Sequence, residues 1–372
     1  MYKQDFCLQQ HKALLPYSNA VDFHSEVEYY RDILRIAPDT ISLYMFSSLR
    51  SVKAALSAAF TEKKTVKGIN LHQESSCLKD KAEKMALAMG IKGKNEVDDV
   101  AQVLLSRLWL CSDKTEMWQA GTSSRVIGDL INSASKSRFH RMFHEGAKQE
   151  LKDLLIEQKG NGAAILGLSL DESLHKDYEA YTILVQLLAE VDLPLLLDVE
   201  CQYQLIELLA SVPGRNLVLC KQAHFANRDS LYKLCLEYAA GIVLSPVING
   251  VYTREDCLLA LNDLVEEALN AGLSKNAIVL EVPTMAVLSM PLLLEETLAT
   301  ISLVKQNLIY PIMISLSQVS QNMLIHGWSN AYYAACAIDR GATLLLANSA
   351  QREVMNMVRV ANELRGGELI DA

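Results

Sequence analysis

From residue 125 onwards, short apolar runs alternate with longer stretches whose apolar residues recur at helical spacing. Each apolar run is followed by a polar turn, which is the pattern of strands that alternate with helices. The helical spacing is clearest at residues 145–158 and 254–270. Eight runs predict β-strands, at residues 126–131, 164–169, 193–198, 216–220, 241–245, 277–282, 312–316 and 342–346.

These eight strand–helix units predict a (β/α)8 TIM barrel over residues 125–372, because such a barrel takes about 250 residues. The alternative is a doubly wound open sheet, which has roughly five to seven strands and often a glycine-rich phosphate-binding turn. The sequence contains no G-x-G-x-x-G motif. We therefore favour the barrel, an α/β fold in which all strands are parallel.

Residues 1–120 show no such alternation of strands and helices. We predict that they form a small helical N-terminal domain, joined to the barrel by the polar stretch 119–124. The domain contains neither a metal cluster nor the Asp-x-His-x-x-Gly motif of corrinoid ligands, so the sequence does not indicate its function. Amphipathic spacing predicts its helices at residues 27–34, 49–60, 81–89 and 97–110.

Composition narrows the functional classes. Hydrophobic residues make up 50% of the chain and charged residues 21%, as in an ordered globular protein. The formal net charge is -9 and the basic residues form no stripe, which argues against a nucleic-acid partner. The N-terminus lacks the features of a secretory signal, and no apolar run reaches the roughly 18 to 20 residues of a membrane span. We therefore expect a cytoplasmic protein.

The sequence gives no local sign of metal binding. Eight cysteines are scattered singly without a C-x-x-C pair, so we expect free thiols in a reducing compartment. His140 and His144 lie four residues apart, a spacing that can bind a metal ion. No third histidine lies at a companion position, and we interpret the two as a surface pair.

In a TIM barrel, ligands bind at the carboxyl ends of the strands. A mouth lined with carboxylates and amides suits a heterocycle with donors and acceptors on one edge, and paired carboxylates also serve acid–base catalysis. Asp171 and Asn348 are expected to cap the helices that follow them. The polar residues at or just beyond the predicted strand ends are Asp129, Asn132, Ser169, Asp171, Asp198, Glu200, Cys220, Lys221, Gln222, Ser245, Asn249, Glu281, Ser315, Ser317, Gln318 and Asn348.

Several strands resemble those of the pterin-binding TIM-barrel family, which includes methyltetrahydrofolate:corrinoid methyltransferases and dihydropteroate synthases. Residues 125–132, Arg-Val-Ile-Gly-Asp-Leu-Ile-Asn, resemble the Ile-Gly-Glu-Arg-Ile-Asn opening of the methyltransferases. Residues 162–169 resemble their Gly-Ala-Asp-x-Leu-Asp-Val-Asn strand, and 193–198 their Val-Pro-Leu-x-Ile-Asp strand. Residues 314–320 resemble Gly-Leu-Ser-Asn-Val-Ser. The segments 216–222, 255–272, 277–283 and 341–360 follow in the order of the family.

The resemblance implies a function as well as a fold. In the methyltransferases the methyl donor is methyltetrahydrofolate, and the acceptor is a corrinoid (cobalamin-type) group that a partner protein carries. The small subunit of the corrinoid iron–sulfur protein is a similar barrel, which faces a corrinoid without transferring a methyl group from a folate. Barrels of this family commonly pair, so the resemblance also implies a homodimer.

The resemblance implies site residues position by position. The third-strand Asp of the family is present as Asp198 and the Asn of the opening motif as Asn132. The fourth-strand Asn falls at Cys220, and the sixth-strand Asp at Glu281 or one residue later. The seventh-strand Asn becomes Gln318, which with Asp198 would be catalytic. The implied pterin-binding set is Asn132, Ser169, Asp198, Cys220, Ser245, Glu281 and Gln318.

The departures from the family leave two functions open. Glu for Asp and Gln for Asn keep the chemistry but lengthen the side chain, whereas Cys for Asn removes a strong donor and acceptor. The chain is then either an enzyme that moves a methyl group between a methylated pterin, or a related donor, and a corrinoid protein, or a non-catalytic corrinoid-facing or scaffold subunit. A third hypothesis is a reactive thiol at Cys220, beside Lys221 and His224. The simpler interpretation is a buried thiol that fills the space of the family's Asn.

Overall fold

The structure is a computed structural model and describes most of the chain. The described residues are 6–9, 20–46, 49–71, 76–91, 108–112, 118–119, 121, 123–133, 137–171, 174, 177–221, 228–246, 253–284, 293–317, 319–320 and 325–366.

The N-terminal part combines helices with a small parallel sheet of three strands. The helices predicted at residues 27–34, 49–60 and 81–89 overlap three observed helices, whereas the sequence analysis does not predict the sheet. In chain order the elements are β1 (Phe6–Gln9), α1 (Ala20–Ile36), β2 (Thr40–Phe46), α2 (Leu49–Thr61), β3 (Thr65–Leu71), α3 (Ser76–Ala88), β4 (Trp109–Leu110) and β5 (Trp118–Gln119).

A bulge explains why strand β3 of this sheet escapes prediction. Ile41 of β2 pairs with Val66 of β3, but the next residue of β2 pairs with Gly68, so Lys67 is an extra residue in β3. Val66 and Ile69 are both buried and lie three residues apart. That interval is typical of a helix, because the side chains of a regular strand return to the same face every second residue.

Eight parallel strands close a barrel, as the sequence predicts. In chain order they are β6 (Arg125–Asn132), β7 (Ile165–Leu170), β8 (Leu195–Val199), β9 (Leu217–Lys221), β10 (Gly241–Ser245), β11 (Ile278–Glu281), β12 (Ile312–Ser315) and β13 (Leu344–Ala347). The last strand, β13, pairs in parallel with the first, β6. The sheet is therefore closed, which excludes the open-sheet alternative.

Helices surround the barrel between its strands. The helix predicted at residues 254–270 is present with these bounds, and Thr253 and Asp256 form a capping box at its start. The helix predicted at 145–158 begins at Lys148, after a separate short helix. The described helices are α4 (Arg138–His144), α5 (Lys148–Gly160), α6 (Tyr178–Val191), α7 (Gln202–Ser211), α8 (Arg228–Glu237), α9 (Arg254–Asn270), α10 (Leu293–Asn307), α11 (His326–Arg340) and α12 (Arg352–Leu364).

The side chains of the barrel strands alternate between two hydrophobic clusters. One cluster fills the space between the strands and the surrounding helices. The other fills the inside of the barrel, so its members identify the inward-facing positions of each strand. The inner cluster contains Ile127, Ile165, Leu196, Leu217, Leu219, Val243, Val279, Met313 and Leu344.

The segment before the barrel closes its amino-terminal end. Leu108 and Leu110 belong to the inner cluster, and Cys111 forms a bridge with Arg215, which precedes β9. Leu108 and Leu110 are both buried two residues apart, and the second lies in β4. The prediction of a helix over residues 97–110 is therefore wrong at its carboxyl end, and residues 97–107 lie outside the described residues.

Within the part of the chain that the structure describes, no helix is both long enough and apolar enough to cross a membrane.

Candidate functional site

The carboxyl ends of six barrel strands place polar side chains at inward-facing positions. Each of these residues follows an inward-facing position by two residues or by four, so that strand alternation turns it toward the barrel axis. All six are half-buried. We call this set the mouth ring; it consists of Asp129, Ser169, Asp198, Ser245, Glu281 and Ser315.

Three neighbouring strands bring polar residues into one row of the mouth. Asn132 of β6 pairs with Ser169 of β7, which pairs in turn with Asp198 of β8. Paired residues of adjacent strands have their side chains on the same face of the sheet. The hydroxyl of Ser169 donates to Oδ2 of Asp198 at 3.2 Å. This bond fixes one oxygen of the carboxylate at the edge of the mouth.

A bulge in β6 changes which of its residues face the mouth. Gly128 pairs with Leu166, but the next pairs are Ile131 with Leu168 and Asn132 with Ser169, so β6 contains one extra residue. The amide of Leu130, inside the bulge, donates to Oε1 of Gln158 on α5 at 3.1 Å. Such bulges re-aim side chains and are frequent beside active sites.

The bulge leaves no room for a side chain at Gly128. A Cβ there would collide with Oε1 of Gln158, which is fully buried. At Gly167 of β7, a Cβ would lie 2.9 Å from the carbonyl oxygen of Gly128. Neither Gly128 nor Gln158 is identified as functional from the sequence. Gly128 occurs in the opening motif at residues 125–132, but no sequence pattern indicates its contact with Gln158.

Asp129 lies in this bulge and contacts a residue at the end of β12, two strands away around the barrel. The hydroxyl of Ser317, which follows β12, donates to Oδ2 of Asp129. Burial raises the pKa of the Asp129 carboxyl, and the hydrogen bond from Ser317 opposes this effect in part. Asp129 therefore holds a proton more readily than an exposed aspartate.

Cys220 lies on the opposite face of its strand, so its predicted place at the mouth is wrong. It belongs to the cluster between strands and helices, whereas its neighbour Leu219 belongs to the inner cluster. Burial raises the pKa of the thiol to about 11; Arg228 lowers it and Glu267 raises it further. A thiol with this pKa stays protonated at neutral pH, which contradicts the reactive-thiol hypothesis and agrees with a buried thiol that fills space.

The remaining candidates lie in different surroundings. Asn348 accepts a hydrogen bond from the amide of Ala350 at 2.9 Å, so its side chain supports the turn before α12. Asp171 follows β7, and its amide donates to the hydroxyl of Ser133 at 3.0 Å. Glu200 is exposed. The side chain of Lys221 and the residues Gln222, His224, Asn249 and Gln318 lie outside the described part of the structure.

His140 and His144 are neighbours on α4, with ring centroids 4.4 Å apart. Within the described ranges, no group of three or more His, Cys, Asp and Glu side chains is placed to hold a metal ion. The mouth ring is consequently the candidate functional site of the barrel.

Comparisons with known proteins support this fold. No family model matches the sequence, and no curated protein is similar to it in sequence. A dihydropteroate synthase from Xanthomonas albilineans, solved with 4-aminobenzoic acid, matches with a TM-score of 0.53 at 14% identity, over 68% of this chain and 96% of that chain. Its complex with 7,8-dihydropteroate matches with a TM-score of 0.52 at 15% identity, over 68% and 97%. The chain has the fold of dihydropteroate synthases.

A third structure agrees with this assignment. The dihydropteroate synthase from Stenotrophomonas maltophilia, with active site-bound imidazole, matches with a TM-score of 0.50 at 11% identity, over 65% of this chain and 93% of that chain. At such identities the likeness concerns the fold alone. It confirms the predicted TIM barrel, and the roles of individual residues stay predictions.

Proposed function

We propose that the mouth ring binds a methylated pterin, or a related donor, and that the chain moves the methyl group between this donor and a corrinoid protein. The observation that supports the proposal most directly is the row of Asn132, Ser169 and Asp198, in which a serine hydroxyl orients a carboxylate. The resemblance of strand motifs and the likeness in fold support the same family of ligands.

The chemistry of the mouth fits a pterin. Among the described inward-facing side chains at the carboxyl ends of the strands, the ionisable ones are the carboxyl groups of Asp129, Asp198 and Glu281. Carboxylates accept hydrogen bonds from N–H groups, and the amino-pyrimidinone edge of a pterin presents several such groups. An acidic mouth also disfavours anionic ligands, since like charges repel in a partly buried site.

Each residue has a distinct part in the proposed complex. Asp198 accepts from the N–H edge of the ring, and Ser169 holds Asp198 in place. Glu281 accepts from the side of β11, where its longer arm replaces the family's Asp. Gln318, outside the described residues, is the proposed catalytic amide, which would assist departure of the methyl group by hydrogen bonding.

The corrinoid is assigned to a partner protein because the sequence contains no Asp-x-His-x-x-Gly motif. The second candidate function is a non-catalytic subunit that faces a corrinoid. The position of Cys220 favours it: the family's fourth-strand Asn falls on a residue whose thiol is buried against the helix layer, so β9 offers no amide at that position.

Titration calorimetry with methyltetrahydrofolate tests the proposal. Asp198→Asn should weaken binding about 10-fold to 100-fold, because a charged hydrogen bond contributes about 1.5 to 3 kcal/mol. Asp263→Asn, an exposed position on α9, is the matched control and should leave the affinity unchanged. Failure of the wild-type chain to bind at millimolar ligand would reject pterin binding, and binding of 7,8-dihydropteroate alone would redirect the proposal to synthase chemistry.

Methyl transfer separates the two candidate functions. With reduced cobalamin as the acceptor, the enzyme converts methyltetrahydrofolate to tetrahydrofolate, and the visible spectrum of the corrinoid changes as the methyl–cobalt bond forms. Binding of the pterin without transfer, together with retention of a cobalamin protein in a pull-down, would favour the non-catalytic subunit instead.

We further propose that two copies of the chain pair through helices α11 and α12. Apolar side chains concentrate on this face: Trp328 is 61% exposed, Tyr332 66% and Leu364 83%. Ile325 and Val360 extend the same two rows, and none of these five residues is charged. Exposed apolar patches mark interaction sites, and a two-fold dimer would bring two copies of this patch together.

A further inference from the structure

Asp129 and Asn132 can face the same side of the sheet only if β6 contains an irregularity. The two residues are three apart, so in an unbroken strand their side chains would face opposite sides of the sheet. The extra residue of the β6 bulge restores both to one side: Ile127 faces inward before the bulge, and Asn132 pairs with the inward-facing Ser169 after it. Ile131 is turned instead into the cluster between strands and helices.

Gln158 holds this bulge from the helix layer. Its Oε1 accepts from the amide of Leu130 at 3.1 Å and fills the space that a side chain at Gly128 would occupy. The side chain is fully buried, so this acceptor satisfies an amide that the bulge removes from the regular ladder. The Nε2 of Gln158 makes no hydrogen bond to any residue that the structure describes. The oxygen is therefore the functional half of the amide.

We propose that Gln158 is a positioning residue, which through the Leu130 amide fixes the bulge and so places Asp129 and Asn132 together at the mouth to recognise the ligand. The inference rests on the proposed function for the identity of the ligand, not for the bulge itself. Asp129 receives a hydrogen bond from Ser317, and burial raises the pKa of its carboxyl above that of an exposed aspartate. A protonated carboxyl donates a hydrogen bond, so below its raised pKa Asp129 would bind an acceptor atom of the ligand.

If Asp129 donates a hydrogen bond to the ligand, the affinity for the ligand depends on pH. The wild-type affinity for methyltetrahydrofolate should fall as pH rises through the pKa of Asp129, because the carboxylate can no longer donate. Asp129→Asn keeps a donor at all pH values and should flatten the profile. Gln158→Met removes the acceptor for Leu130 at similar volume and should weaken binding about tenfold, the effect of losing one placed hydrogen bond.

A conservative variant distinguishes a positioning role of Gln158 from a general contribution to stability. Gln158→Glu keeps an acceptor oxygen, and full burial favours the neutral form of the new carboxyl, so at acidic pH it should restore the affinity, although it adds its own titration to the pH profile. Gln149→Met on the exposed side of the same helix is the control and should leave both unchanged. The inference is overturned if Gln158→Met lowers the melting temperature but binds the ligand with the affinity and pH profile of the wild type.

Hydrogen exchange tests the bulge without any ligand. The Leu130 amide should exchange slowly in the wild type, and its protection should be lost in Gln158→Met and kept in Gln158→Glu. A freely exchanging Leu130 amide in the wild type would reject the assignment, even if Gln158→Met failed to fold. Absence of pterin binding together with a protected Leu130 amide would reject the proposed function and leave the positioning of Asp129 and Asn132 standing.

Discussion

Lys53 of the N-terminal part reaches the barrel layer and donates to the carbonyl oxygen of Leu209 at 2.7 Å, near the end of α7. Its ammonium lies 3.3 Å from a second carbonyl, that of Gly214. Lysine at the carboxyl end of a helix satisfies carbonyls that have no partner in the helix and interacts favourably with its dipole. The N-terminal part is thus attached to the barrel through a buried lysine, which is only 1% exposed.

This burial predicts how stability changes with pH. Burial lowers the pKa of Lys53 from 10.5 to about 7, an effect that the neighbouring Cys111 opposes. Between these two values the unfolded chain binds more protons than the folded chain, so the free energy of unfolding rises with pH, by up to about 1.4 kcal/mol per pH unit. Chemical denaturation from about pH 6 to pH 7.5, below the value of about 8.5 near which unfolded cysteines titrate, should show the start of this rise.

Substitution identifies the source of the rise. Lys53→Met removes the titrating group and should flatten the dependence, while the two carbonyls lose their donor and stability near pH 8 falls. Lys233→Met, at an exposed position on α8, should keep the wild-type slope. An unchanged slope in Lys53→Met would show that another group causes the rise.

The contact between the preceding segment and the barrel predicts a second effect. Gly214 has a φ of 97°, and a Cβ there would lie 2.8 Å from the Cα of Ser112 and collide with the carbonyl of Cys111. Gly214→Ala should therefore combine left-handed strain of about 1 to 2 kcal/mol with overpacking of about 1 to 3 kcal/mol. Urea denaturation measures the sum.

Gly272 provides the matched comparison. Its φ is 100°, but a Cβ would lie 3.7 Å from Leu236 Cδ1, an ordinary contact. Gly272→Ala should therefore show the strain alone, and the difference between the two variants measures the contact of residues 111–112 with the barrel. Equal losses of stability in the two variants would mean that residues 111–112 move aside without a loss of free energy.

Most of the barrel and the polar residues of the mouth ring could be predicted from the sequence, but not the direction of every side chain. The strands are short apolar runs bounded by turns, and β10 has the predicted bounds. A strand buried on both faces, however, has no alternation of apolar and polar residues. The sequence therefore does not show which of Leu219 and Cys220 faces inward, and the family resemblance placed Cys220 at the mouth. The β6 bulge depends on Gln158, a contact 28 residues away from Leu130 that no local pattern indicates.

Asp129 predicts a further pH effect in the absence of ligand. Burial raises the pKa of Asp129 in the folded chain above the ordinary value of an exposed aspartate, so its contribution to stability is present below that ordinary value and is lost as pH rises through the folded pKa. At neutral pH the buried charge is a cost that Asp129→Asn removes. The variant should therefore raise the melting temperature more at pH 7 than at pH 4, by about 1 to 2 °C for each kcal/mol.

Two results would test this prediction. Asp263→Asn, which changes an exposed aspartate on α9, should shift the melting temperature by the same small amount at both pH values. If Asp129→Asn behaves in the same manner, then Asp129 is fully ionised in the mouth and does not serve as a hydrogen-bond donor.

The exposed face of α11 and α12 leads to the last prediction, which concerns assembly. Trp328 lies in the first turn of α11 and is 61% exposed beside Ile325 and Tyr332. Aromatic residues at the centre of an interface often contribute about 2 kcal/mol or more, so Trp328→Glu should weaken a dimer roughly thirtyfold or more. Light scattering across a dilution series should give twice the chain mass of 41.3 kDa for the wild type and the single mass for the variant. Leu259→Glu, at a position 65% exposed on α9, should leave the dimer intact. If both variants dissociate it equally, or if the wild type is a monomer at all concentrations, the two helices do not form the interface.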